Sequence, residues 1–197
     1  MPKSWDEAMA GASFDDLVER ARRDEREQAE KKVEAGLLAS DRELDVPMVR
    51  VVSSSEWAQA IVGCLAEAGF SAEGFADGSL NVDDVPPEQG EALNYAAYRC
   101  NMQYPINPYQ QMALPEESAQ LLYQHWVEVS MPCLEQQGVQ VTGPPSEQTW
   151  LDAWALGSES AWSPYTSVDA SPDAAYRDGV YQACPREPEG LYPSVPQ

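Results

Sequence analysis

The sequence predicts an α+β, helix-rich fold: two cysteine-bridged helix–hairpin–helix-like units with an N-terminal helical arm. Three observations carry this. Cys64 and Cys100 each lie on an apolar stripe of helical spacing, with a hairpin signal between them. A looser copy of that order leads on to Cys133 and Cys184. The first 50 residues differ in kind, being densely charged with few apolar positions.

Residues 5–40 read as one long helix with a sparse stripe: Phe14, Leu17, Val18, Ala21, Ala29, Val33 and Leu37. No apolar residue falls between Ala21 and Ala29. Most helical stability in proteins comes from packing an apolar face, so this arm is expected to project from the rest. A partner chain or a second copy would order it; the alternative is a mobile tether. Residues 45–52 read as a linker or short strand. The expected organisation is therefore a 1–50 arm and linker followed by a 51–197 domain.

The first unit covers 53–105. Ser53 and Glu56 have capping-box spacing, and Trp57, Ile61, Cys64, Leu65 and Ala68 share one helical face. Gly69-Phe70 is a helix-end signal. Asp77-Gly78, between Phe75 and the alternating Leu80 and Val82, predicts a two-residue hairpin turn. Pro86-Pro87 opens a second helix, whose inner face is Leu93, Ala96, Ala97 and Cys100.

The second unit covers 115–185. Pro115-Glu116-Glu117 starts a helix with acidic groups set against its N-terminal dipole, and its expected buried face is Leu122, Trp126, Val129 and Cys133. Pro132 should kink or locally break that helix. Pro144-Pro145 echoes Pro86-Pro87, and Ala174-Ala175-Tyr176-Arg177 echoes Ala96-Ala97-Tyr98-Arg99, which suggests duplication. An aromatic insertion runs from Trp150 to Ser171. Pro185 to Gln197 is a proline-punctuated tail.

The balance of 12 basic against 33 acidic residues gives a net charge of −21. After residue 50 the only cationic residues are Arg99, Arg177 and Arg186, and there is no lysine. Such a surface repels phosphate backbones, so nucleic acid is excluded as a partner, and anionic head groups are disfavoured. No stretch has the length of a transmembrane segment. Residues 1–50 hold no apolar signal-peptide core, so the expectation is a mature chain, secreted or anchored through a precursor segment not present here.

Four cysteines with separations of 36, 33 and 51 lack the C-x2-C pair typical of zinc sites. Two disulfides in an extracytoplasmic protein are expected, with buried free thiols or a metal as the alternatives. The repeated units pair Cys64 with Cys100 and Cys133 with Cys184. A high-salt cytoplasm is a second account of the acidic surface.

The motifs Cys64…Gly69-Phe70, Tyr98-x-Cys100, Tyr104-Pro105, Leu122-Tyr123 and Pro132-Cys133-Leu134-Glu135-x-x-Gly138 are found together here. So are Pro144-Pro145-Ser146, Trp162-x-Pro164-Tyr165 and Cys184-Pro185. With them the chain resembles, over residues 55–195, a group of actinobacterial secreted and lipoprotein-like proteins of uncharacterised function. The resemblance implies export, paired cysteines and a lipid anchor in the precursor. It implies no catalytic residue.

His125, the single histidine, sits beside Trp126 on a helix and reads as structural. No G-x-S-x-G elbow accompanies it. The adjacent carboxylates Asp83-Asp84 and Glu116-Glu117 read as charges at element ends. Asp77, Asn81 and Asp83 lack EF-hand spacing, so no metal and no cofactor is expected. Trp150, Trp154, Trp162 and Tyr165 form the candidate binding cluster, since aromatic faces suit sugars, cations and interface anchors. The alternative is that these rings fill a core. The expected function is non-catalytic: an accessory or interaction subunit of an envelope assembly with a protein partner. Its rival is a binding module for a cell-wall glycan or a cationic small ligand.

Overall fold

The computed structural model describes residues 1–75, 78–157 and 162–195. In chain order the elements are α1 (Trp5–Met9), α2 (Phe14–Glu34), α3 (Ser54–Glu67), β1 (Ala72–Gly74), β2 (Leu80–Val82) and α4 (Gly90–Gln103). There follow α5 (Glu116–His125), a π-helical turn (Trp126–Ser130), α6 (Met131–Gln136), α7 (Glu147–Ala155), α8 (Thr166–Asp169) and α9 (Ala174–Ala183). They gather into two compact units: residues 12–111, and residues 1–11 together with the chain from Met112 onward.

The expected single helix over 5–40 is corrected. Ala10 at φ 51° and Gly11 at φ 83° stop α1, and Ser13 starts α2 afresh with a reciprocal capping box. Its hydroxyl accepts from the Asp16 amide at 3.2 Å, while Asp16 accepts from the Ser13 amide at 3.0 Å. Those bonds from Ser13 hold the Asp16 carboxyl below its ordinary range. Nor does α2 project. Ala29, with Leu38, Val46, Tyr98 and Met102, forms a buried core, and Val33 packs on it. Ala29, at the edge of the gap in the stripe, is 1% exposed.

Within the 12–111 unit, α4 is buried on two faces. Ala96 and Cys100 meet Ile61 and Leu65 of α3, and Tyr98 and Met102 meet α2 and the chain after it. Cys64–Cys100 ties α3 to α4 with Cα atoms 5.7 Å apart. Ser53 and Glu56 cap α3 reciprocally. β1 and β2 pair antiparallel, with Ala72 opposite Val82. A Cβ on Gly74 would lie 3.0 Å from that of Ala58, so glycine is what lets β1 lie on α3.

The hairpin turn is longer than two residues. Phe75 donates to the Ser79 carbonyl at 3.0 Å and accepts from Gly78 at 3.0 Å, with Gly78 at φ 79°. Three residues therefore separate the paired positions, as in hairpins closed by a left-handed glycine. Asp77 lies outside the described residues. The presumed linker is fastened: Val49 donates to Gln103, Val52 to Pro105, and Asn107 back to Val52, through a parallel bridge of Val52 with Ile106.

In the other unit, the face expected from α5 to Cys133 shifts partway. Leu122 and Trp126 are buried, yet Val129 is 52% exposed, while Ser130 and Leu134 take the interior. The π-helical turn is the cause: its wider loop adds a residue and moves the inward positions one step along. It also relieves Pro132, which has no N–H to offer the preceding turn. Cys133–Cys184 joins α6 to the end of α9, with Cα atoms 5.8 Å apart. Residues 115–185 contain no strand among the described residues, so that stretch is helical where the first has a hairpin. The tail is fastened too, with Leu191 buried and its carbonyl accepting from the Trp5 indole at 3.3 Å.

Candidate functional site

The aromatic insertion is mainly interior. Ser146 caps α7 by accepting from Thr149, and this aims Trp150 inward, where it is 1% exposed. Its indole donates to the Trp162 carbonyl at 2.8 Å, and the Trp162 indole donates to Thr142 at 2.8 Å. Trp126 meets Trp150 edge-on at 5.7 Å, Tyr123 lies 5.5 Å from it, and Trp154 stacks on it at 5.0 Å. Tyr165 is fully buried, and its hydroxyl donates to the Cys184 and Pro185 carbonyls. Burial raises its pKa, so it stays a neutral donor. Of the four candidate residues, Trp150 and Tyr165 have no face left for a ligand. Trp154 and Trp162 are half-buried.

The same unit holds its C-terminal segment by its carbonyls. The His125 ring donates to Pro185 at 3.2 Å, and the Trp126 indole donates to Arg186 at 2.8 Å. Arg186 lies over the rings of Tyr165 and Tyr181, at 5.1 and 5.0 Å, and pairs with Asp169 at 3.1 Å. These groups secure the chain around Cys184.

The 12–111 unit carries an open groove of about 350 Å³. Its polar lining is Arg22, Asp24, Glu25 and Gln28 of α2, Asn101 of α4, and Gln111. Trp57, Pro105 and Ile106 supply apolar wall. Each side is fixed from behind. Trp57 packs partly on the Ile61–Leu65 core, and Pro105 and Ile106 are held by the Val52 bridge. Arg22 is committed: it donates to the Val46 carbonyl at 2.5 Å and pairs with Glu19 at 3.3 Å. Glu25 accepts from Asn101 at 3.4 Å. The groove therefore offers carboxylate acceptors, three amides and one half-buried indole around a guanidinium bonded to Val46 and Glu19.

Such a lining suits reversible binding of a polar ligand, because pockets orient ligands with a few polar groups on a firm wall. Among the described residues, no three His, Cys, Asp or Glu side chains converge as metal ligands. The sequence reading did not find the groove. Its residues come from three separated segments, and periodicity alone does not show that Trp57, in the first turn of α3, is only half covered by the core.

Comparison of the chain with protein-family models, with curated proteins and with solved structures finds no match in any of the three. Among the described residues, no helix is long and apolar enough to cross a membrane.

Proposed function

We propose that this chain is a non-catalytic, extracytoplasmic binding protein of the cell envelope, with its ligand seated in the groove of the 12–111 unit. The observation that carries the reading is the groove itself: mixed polar groups beside one indole face, mounted on helices that a disulfide and a backbone bridge hold rigid. The two disulfides support export, since such bonds persist in oxidising compartments. The resemblance to exported lipoprotein-like chains agrees with this.

A second reading is an accessory subunit of an envelope assembly, or self-association through residues 5–40. It is favoured by exposed apolar side chains: Leu37 at 53%, Leu121 at 37% and Val129 at 52%. Hydrogen exchange of the whole chain, alone and with a soluble cell-wall digest, separates the two. Slowed exchange at residues 21–28, 57 and 101–111 is expected. Slowing centred on 121–129 would move the function to the second reading, and no slowing at the groove would overturn the first.

A further inference from the structure

We infer that the groove of the 12–111 unit takes a neutral oligosaccharide, stacked on Trp57 and hydrogen-bonded by Glu25, Asn101 and the amides at the rim. This rests on the proposed reading of the groove as the binding site and names its ligand class.

Charge removes one alternative. An anion would approach a chain carrying 33 acidic against 12 basic residues, and long-range repulsion opposes that encounter. Toward an organic cation the lining is mixed: Asp24 and Glu25 attract it, while the Arg22 guanidinium, 12% exposed and bonded to Val46 and Glu19, opposes it. A cation is therefore the competing class, and a neutral ligand meets repulsion from neither sign.

The lining then selects among neutral ligands. Every sugar hydroxyl donates one hydrogen bond and accepts others. The groove supplies both kinds of partner side by side: carboxylates on Asp24 and Glu25 accept, and the amides of Gln28, Asn101 and Gln111 do both. A purely apolar ligand would leave these groups unpaired, which costs more than the bonds are worth. The C–H face of a pyranose ring is apolar and flat enough to cover an indole, and Trp57, which lines the groove and packs partly on the core, is the ring that would take it. The volume of about 350 Å³ stands at the lower end of the range for small-molecule pockets, about 300–1,000 Å³, and suits a short saccharide.

The test is isothermal titration of the oxidised full chain with cellotriose, chitotriose and maltotriose, and with spermidine as a cationic probe. One trisaccharide should bind at 1:1. Glu25→Gln should weaken it about tenfold, the worth of a hydrogen bond to a charged group. Trp57→Phe keeps an aromatic ring in the core, and should weaken binding about threefold to tenfold. Asp83→Asn, on the hairpin away from the groove, should change nothing. Near-ultraviolet circular dichroism verifies that each variant is folded. If no trisaccharide binds but spermidine does, and both groove variants weaken it, the groove stands as a site and the saccharide is overturned. If none of the four probes binds, or binding ignores both groove variants, the groove reading falls with it.

Discussion

At the scale of single residues, chemistry written in the sequence and position read from it diverge. Trp150, Trp154, Trp162 and Tyr165 are visible as a cluster, but periodicity cannot tell a ring that faces a core from one that faces a ligand. Trp150→Ala should cost about 3–5 kcal/mol in urea unfolding, the usual loss for a buried aromatic, because the ring is 1% exposed and touches three others. Trp154→Ala, half-buried at the edge of the stack, should cost well under half as much. Equal losses would show that Trp154 belongs to the interior as fully as Trp150. Glu91 was not singled out by sequence, since its partner is 49 residues away. Bonds from the Arg42 guanidinium at 2.6 and 2.9 Å, with one from the Ala39 amide, lower its pKa to about 2. A depressed carboxylate stabilises the fold above its unfolded pKa of about 4.3, and that contribution is lost as pH falls through about 2. Glu91→Gln should therefore flatten the acid limb of stability between about pH 4 and pH 2, read as urea midpoints against pH. A variant with the wild-type acid slope would count against the pair.

At the scale of elements, local signals were legible and partners were not. The Ser53–Glu56 cap, the Gly69 helix end and the inner face of α4 all stand in the sequence and in the fold. What periodicity hid was the second face of α4. Tyr95, Tyr98 and Met102 also recur at helical spacing, and they supply the apolar partner that made α2 look unsupported. The Ser13–Asp16 cap was likewise present, with Asp in the position where Glu or Gln is the familiar partner. On the α5–α6 stretch, Pro132 announced an irregularity but not its kind. The one-residue shift through the π-helical turn gives a direct check. Leu134→Ala should destabilise by about 2–5 kcal/mol, whereas Val129→Thr should stay within about 0.5 kcal/mol, as exposed substitutions do. The opposite ranking would restore a regular helix in which Val129 faces inward.

At the scale of the whole molecule, the cysteine pairing was legible because each pair lies on apolar helix faces within its own stretch. The unit boundaries were not, because charge density marks the end of the arm near residue 50 while packing places the divisions after Gly11 and Gln111. Replacing Cys64 and Cys100 with serine removes the link across 36 residues, and should cost about 2–4 kcal/mol. Hydrogen exchange should accelerate in residues 12–111 and leave 112–195 at wild-type rates; acceleration throughout would show that the two units open as one. The groove was least legible of all. It has no motif, only residues that α2, α3 and α4 bring together.

The division after Gly11 also makes one of the two units discontinuous in sequence. The Leu191 carbonyl that the Trp5 indole reaches is 186 positions away. The backbone carbonyls of Pro2 and Lys3 accept from Glu116 and Glu117, which lie beyond the whole 12–111 unit. That intervening unit has its own core and disulfide. Folding it first shortens the loop that must close to join the separated segments, and so lowers the entropy lost when they meet.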